Sequence, residues 1–315
     1  MKITPIHIDD LQKLKTDSVF NSSDWLSIYS DSGINLLGIF NKNEELIGTF
    51  YYQKHNRAKV LTHIAPPFLS PNCGLYIVDS TINPAQKNTF YKKVNEALKE
   101  HFKDLKSDLF SISFPPHFQD MQSFIWTGYQ ATPKYTYQID LNQNEEAILA
   151  QMSPERRKNI TKSQKEGLVI KESIGDKGSL QLIVNTFVKQ GLWHDKLVLN
   201  SLFAKFSSSA NAISYSCYEG DTLLATVFCI RDNNKAYYIL GGFDGESKHS
   251  GAGAFAMWHA IKKSKEIGVS IFDFEGSMQP SIEKYFRGFG GKLVPYFSIS
   301  KQNWKGKLLL KLRKK

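Results

Sequence analysis

The sequence predicts an α+β fold made of two tandem halves, each reading strands, helix, strand. Three observations carry this. A strand, polar turn, strand pattern occurs twice: Leu36 to Phe40, NKNEE and Leu46 to Tyr52 in the first half, then Ala212 to Tyr218, EGD and Leu223 to Ile230 in the second. The returning strands match in pattern, EELIGTF against DTLLATV, each with a small residue (Gly48, Ala225) before a threonine (Thr49, Thr226). Each hairpin is followed by a segment of helical apolar spacing that leads into another strand.

Taken in order, the loop HIAPPFLSPNCGLYI follows the first hairpin, rigid through its prolines and glycine, with His63 and Asn72 as exposed polar candidates or, equally, parts of a packed connection. Phe90, Val94, Leu98, Phe102 and Leu105 then recur at helical spacing before the strand LFSISF. KYTYQIDL opens a new aromatic strand after the turn region WTGYQATP, which places a boundary near Thr132 to Pro133. The helix from Glu145 is interrupted at Pro154, where Ser153 can cap a second helix carrying Arg156, Arg157, Lys158, Lys162 and Lys165. Phe255 to Ile267 repeats the helical pattern and leads through Gly268, suited to a helix C-cap, into VSIFDFE. The domains expected are 1–132, 133–300 and a basic amphipathic tail, 301–315.

At 315 residues the chain has room for two domains of about 150 residues. Its 41% hydrophobic and 13% aromatic content excludes a disordered composition. Cys73, Cys217 and Cys229 are widely separated, and neither CxxC nor HExxH occurs. A disulfide framework and a structural metal are therefore not expected, and a reducing compartment fits. Asp9 and Asp10 interrupt the start where a secretory leader needs an unbroken apolar stretch, and apolar runs such as Leu223 to Ile230 fall short of the ~20 residues that span a bilayer. A cytoplasmic protein is expected. The net charge of +10 suits a phosphate-rich or anionic partner. Within the tail KQNWKGKLLLKLRKK, seven lysines and arginines and no acid accompany Trp304, Leu308, Leu309, Leu310 and Leu312. Such a tail could lie on an anionic membrane leaflet, track RNA, or pack its leucines on the domain.

The segments SPERRKNITKSQKEG (Ser153 to Gly167), GGFDGESKHSGAGAFAMWHAIKKSKEIG (Gly241 to Gly268) and IFDFEGSMQPSIEKYFRGFGG (Ile271 to Gly291) resemble the FemABX-like branch of the GNAT superfamily. The resemblance implies two tandem GNAT-like acyltransferase domains, each a mixed, mostly antiparallel sheet flanked by helices, the first on the acceptor side and the second holding donor and transfer site. It implies transfer of an aminoacyl or acyl group onto an amine, with a peptidoglycan precursor as the best-known acceptor. It further implies aminoacyl-tRNA or acyl-CoA as co-substrate and no tightly bound cofactor. Arg156 and Arg157 match the arginine that helps hold acceptor phosphate. Where the family commonly has Phe-Lys before Phe-Gly, this sequence reads Phe286-Arg287 before Phe289-Gly290, which keeps the cation and changes its reach. The long helical arm of some members has no counterpart.

Acyl transfer to an amine needs a place for negative charge on the tetrahedral carbon, a neutral attacking nitrogen and a route for its proton. In the strand KAYYILGGF, backbone N–H groups together with Arg287 are candidate oxyanion stabilisers. Tyr238 or Tyr237 could relay a proton, although alternation turns only one of them to the cleft. Ser250, Gly251, Ala252 and Gly253 precede a helix and could receive a pyrophosphate, or could serve close helix packing. Asp273 and Glu275 share one side of their strand. Asp273 reads as structural, and Glu275 as a base, a cap for the turn at Gly276 and Ser277, or a partner of Arg287. Arg156, Arg157, Lys158, Trp193 and His63 are the acceptor-side candidates, and His194 is a further candidate base. The function expected is a transferase acting on an amine of a phosphate-bearing, small-molecule or lipid-linked acceptor. Partners could include tRNA and an anionic membrane surface. The alternatives are an acyl-CoA-dependent N-acyltransferase on another small molecule, and a non-catalytic phosphate, RNA or membrane-surface binding protein.

Overall fold

The computed structural model describes residues 1–57, 61–276 and 278–313. Ser277 and the tail side chains beyond Leu308 lie outside that description. The strands are β1 (Lys2–Pro5), β2 (Asn35–Phe40), β3 (Leu46–Arg57), β4 (Leu61–Ala65), β5 (Tyr76–Ile77), β6 (Leu109–Ser113), β7 (Gln130–Asp140), β8 (Val169–Glu172), β9 (Ala212–Glu219), β10 (Thr222–Arg231), β11 (Lys235–Phe243), β12 (Ile271–Asp273) and β13 (Lys292–Gln302). The helices are α1 (Ser23–Ser27), α2 (Pro84–Asp104), α3 (Gln122–Trp126), α4 (Glu145–Gln151), α5 (Pro154–Lys165), α6 (Lys177–Lys189), α7 (Lys196–Phe206), α8 (Ala252–Glu266), α9 (Pro280–Arg287) and α10 (Trp304–Arg313).

Both expected hairpins form, β2 with β3 and β9 with β10. The expectation of two tandem domains, each with its own sheet, is corrected by the strand order. The described strands hydrogen-bond into one continuous mixed sheet, β1-β2-β3-β4-β6-β13-β7-β12-β11-β10-β9-β8, with β5 on β3. The last strand, β13, returns to pair antiparallel with β6, Ser298 opposite Ser113, and neighbours β7 in the order. Local patterning reports which strands make hairpins. It carries no information on a partner nearly two hundred positions away, which burial and register decide.

Backbone contacts group the chain into two compact units, Met1–Thr16, Phe20–Lys134 and Pro295–Lys315 in one, and Asp17–Val19 with Tyr135–Val294 in the other. In the first, Asn83 caps α2 by accepting from the Ala85 and Gln86 amides, and Pro84 opens the helix at a position where its missing N–H costs nothing. Val94, Leu98 and Phe102 line one face of α2 at helical spacing and are buried. Phe102 packs against Phe50 and Phe110, with ring centroids 5.8 and 5.0 Å apart. In the second unit, Ser153 accepts from the Arg156 amide at 3.2 Å and Pro154 starts α5, as the sequence predicts. Helix α8 buries Ala252, Ala254, Phe255, Ala256, Met257, Trp258, Ala260 and Ile261, nearly its whole circumference. Gly268 ends this segment at φ +82°, a conformation a side chain would strain. Strands β11 and β12, joined through α8, run parallel.

Candidate active site

The local geometry begins with an irregularity in β11. Phe228 pairs with Leu240 and Cys229 with Tyr238, so Ile239 is an extra residue, a β-bulge. The bulge resets the alternation and puts Tyr238 on the same face as Gly241, and the Tyr238 hydroxyl lies so close to Gly241 that any side chain there would collide with it. Tyr238 packs against the core formed with α8, its ring 5.7 Å from Phe286 of α9 in a T-shaped arrangement. Burial pushes its hydroxyl far above the usual tyrosine range. Tyr237 takes the other face and donates to Asp232 Oδ2 at 2.9 Å. Burial first, then the charge of Asp232, raises it too.

Parallel pairing between β11 and β12 covers only Lys235 with Ile271, Ala236 with Phe272 and Tyr237 with Asp273. Beyond Tyr237, β11 continues to Phe243 without β12 beside it, and on that side the Phe243 amide donates to Thr186 Oγ1 at 3.0 Å. At this opening the chain after β12 turns sharply. Glu275 sits at φ +58° and Gly276 at φ +74°, and a side chain at 276 would strike the Tyr135 carbonyl. Asp273 sets the turn. It accepts from Thr136 Oγ1 and Gln138 Nε2, both at 2.6 Å, and from the Glu275 amide at 2.9 Å. Burial raises Asp273 against the pull of these hydrogen bonds. Glu275 is pushed well above the carboxylate range, mainly by burial and then by the neighbouring charge of Asp273, while Lys235 acts the other way.

On the α8 side the dominant feature is Arg156. Only 6% exposed, its guanidinium lies 4.4 Å from the Tyr285 ring centroid and 5.0 Å from that of Phe289. Its Nε is buried without a hydrogen-bond partner, and no ion pair of this side chain occurs among the described residues. Gly288 permits the approach, since a Cβ there would stand 3.3 Å from Arg156 Nε. Tyr285 reaches toward the start of α8, where its hydroxyl would be 3.5 Å from a Cβ on Gly253. Burial pushes this hydroxyl up to about 12 while the Arg156 charge pulls it down. Arg156, Tyr285, Tyr238 and Gly253 thus gather at the meeting of α5, α8, α9 and β11.

The other sequence candidates are dispersed. Three consecutive residues on a helix point some 100° apart. Only Arg156 turns inward; Arg157 donates through Nη1 to the Ala150 and Met152 carbonyls at 3.0 and 2.5 Å, closing the end of α4, and Lys158 is exposed. Gly251 is buried against α5, because a Cβ there would lie 2.5 Å from the Asn159 carbonyl and 2.6 Å from Ser163 Oγ. Ala252 is buried and Ser250 exposed. Arg287 is exposed and donates to Glu283 Oε1 at 2.9 Å, the oxygen that also accepts from Tyr137 at 2.6 Å. Trp193 is exposed, and His194 meets the Leu192 carbonyl at 3.4 Å. His63 belongs to the first unit, facing His55 across β3 and β4 with rings 6.2 Å apart.

Sequence reasoning passes over Tyr285 and His249. Tyr285 lies four positions before Phe289, a helical spacing that could have flagged both as neighbours of Arg156. His249 Nδ1 meets Glu166 Oε2 and Nε2 meets Glu219 Oε1, both at 2.9 Å, and these carboxylates raise it. Nothing in the spacing of 166, 219 and 249 announces that cluster. Among the described residues no group of three or more His, Cys, Asp or Glu is placed to hold a metal ion, and no helix is long and apolar enough to cross a membrane.

A family model described as an acetyltransferase (GNAT) domain matches residues 193–287, which include β11, α8, β12 and α9. The fold is similar to that of FemX, at 11% identity and TM-score 0.64, over 94% of this chain and 97% of that one. It is also similar to the C-terminal domain (DUF2156) of a candidate lysylphosphatidylglycerol synthetase from Agrobacterium fabrum, at 11% identity and TM-score 0.55 over 96% and 95%. A tandem GNAT protein from the clavulanic acid biosynthesis pathway aligns at 9% identity and TM-score 0.50, over 96% and 98%. No curated protein matches the sequence. The chain has a GNAT-like fold, similar to that of FemX.

Proposed function

We propose that this chain transfers an aminoacyl or acyl group from an activated donor to an amine on a phosphate-bearing acceptor, of small-molecule or lipid-linked kind, with a cell-wall precursor as the leading candidate. The observation that carries the reading is Arg156. A buried guanidinium normally has a counter-charge, since leaving one unpaired is costly, and an anionic group of a ligand completes it here. The GNAT-type fold and the opening between β11 and β12 support the transfer chemistry.

In this scheme the carbonyl of the donor lies at the opening, where backbone N–H groups of β11 between Tyr237 and Phe243 face the developing oxyanion. The acceptor nitrogen attacks the carbonyl carbon and the bond to the leaving oxygen or sulfur breaks. Glu275, with its raised proton affinity, takes the proton released by the nitrogen. Tyr285, the less perturbed of the two tyrosines on the α8 side and the nearer to Arg156, supplies a proton to the leaving atom. Arg287 enters only by leaving Glu283. The start of α8, where a pyrophosphate would be held, is covered at Gly251 by α5, which favours an aminoacyl ester over acyl-CoA.

The test offers charged tRNA or acetyl-CoA to the purified protein, with and without a phosphate-bearing amine, and follows ester discharge and thiol release. Acceptor-dependent discharge of tRNA that is lost in Arg156→Gln is expected. Thiol release would make acyl-CoA the donor. Turnover of neither by folded protein would refute the transferase reading and leave a binding protein.

A further inference from the structure

We propose that the face of the first unit formed by α10 and the end of α3 docks on an anionic membrane surface, independently of the transfer reaction. The root of α10 is fixed. The Asn303 amide donates to the Asp108 carbonyl at 3.2 Å, Asn303 Nδ2 to Asp108 Oδ1 at 2.8 Å, and the Gly306 amide to Asn303 Oδ1 at 3.0 Å. Gly306 is pressed so closely on the Asp108 carbonyl that no side chain fits there. One side of the helix is thereby committed to the protein.

The other side is left bare. Trp304 is 71% exposed and Leu308, one turn on, 54%. Lys305 and Lys307 are exposed beside them. A second apolar tip stands at the end of α3, where Ile125 is 52% and Trp126 71% exposed. Lys301, just before α10, joins the two tips: its Nζ donates to the Thr127 carbonyl at 3.1 Å and lies 4.8 Å from the Tyr129 ring centroid. Beside it a groove of about 300 Å³ has an apolar floor including Phe102, Leu105 and Tyr129, and Lys103, Lys106 and Lys301 among its walls. Of the nearby acids, Asp108 is engaged by the Thr62 amide and Asn303, and Asp120 by Lys92, which itself lies over Trp126 at 5.0 Å.

Charge complementarity selects the occupant. Exposed tryptophan and aliphatic side chains within a ring of lysines match a bilayer interface, where the indole enters the headgroup region and each lysine gains from the anionic surface potential. The groove offers lysines for a lipid phosphate above an apolar floor. A nucleic acid would use the lysines and leave Leu308 and Ile125 without a role.

The test is flotation of the full chain with phosphatidylcholine vesicles, with and without phosphatidylglycerol, at low and high salt, and with tRNA as a competitor. Binding to the anionic vesicles alone, weakened by salt and accompanied by a blue shift of tryptophan emission, is expected. Trp304→Ala with Leu308→Ser should lower the partition by about tenfold or more, as loss of an apolar anchor does. Lys305→Glu with Lys307→Glu should lower it similarly, from about fivefold per lysine lost. All four positions are exposed, and far-ultraviolet circular dichroism of the variants checks that they fold. Equal binding to neutral vesicles, wild-type binding by both variants, or tRNA binding that depends on the lysines while vesicles are ignored would each overturn the proposal.

Discussion

Glu275→Gln should make the protein more stable and less active, and the stability gain should grow with pH. In the folded chain Glu275 is partly buried, at positive φ, with Asp273 beside it, and its proton affinity is raised well above that of an unfolded glutamate. The native state therefore binds more protons than the unfolded state from about pH 4.3, the unfolded value, up to the folded value. Across that window wild-type stability falls by up to about 1.4 kcal/mol per pH unit from this residue. The glutamine keeps the shape, the backbone and the hydrogen bond that the residue 275 N–H donates to Asp273 Oδ1 but cannot ionise, so it escapes this loss. Urea unfolding at pH 5, 6 and 7 should show the variant gaining on wild type at each step, with the difference near zero at pH 4. Activity should fall by about 10²–10⁴-fold, the usual contribution of a proton acceptor. A stability difference that is flat with pH, or that runs in favour of wild type as pH rises, would refute the burial argument. Full activity in the variant would remove Glu275 from the chemistry.

Other perturbations test neighbouring parts. Gly251→Ala places a methyl against the Asn159 carbonyl and Ser163 Oγ and should cost about 1–3 kcal/mol by forcing α5 from α8, measured by urea unfolding; an unchanged midpoint would mean the helices do not approach so closely. His249 is raised by Glu166 and Glu219, so its stabilisation is complete below about pH 6.5, its unfolded value, and is lost as pH rises through the folded value. Melting temperature should decline over that range in wild type and decline less in His249→Asn, and parallel profiles would refute the clamp. Ser153→Ala removes the cap of α5 and should cost about 1 kcal/mol, with an unchanged unfolding midpoint as the refuting result.

What the sequence made legible was local. The two hairpins, the Ser153-Pro154 helix start and the Gly268 stop each depend on residues within a few positions of one another, and the structure has them. The pairing of β13 with β6 depends on residues far apart in the chain, which is why a pattern of two similar halves suggested two sheets instead of one. Within the candidate site the same division holds. Strand alternation shows that Tyr237 and Tyr238 part company, but the facing of Gly241 with Tyr238 follows from the Ile239 bulge, and no residue type marks a bulge there. Likewise a basic run at 156–158 is visible as composition. That Arg156 alone is buried follows from Phe289, Tyr285 and Gly288, more than a hundred residues later.

The arrangement around Arg156 also accounts for why a protein would keep an unpaired buried cation at all. Two aromatic faces recover part of the solvation the guanidinium has lost, about 0.5–2 kcal/mol for each such contact. They stabilise the charge without spending its hydrogen-bond donors, as a carboxylate would. Under the proposed function, an incoming anion would meet a cation already held in place by these rings, and little side-chain freedom would be lost on binding. In that reading the cost of burying the charge falls on the fold and the benefit on recognition.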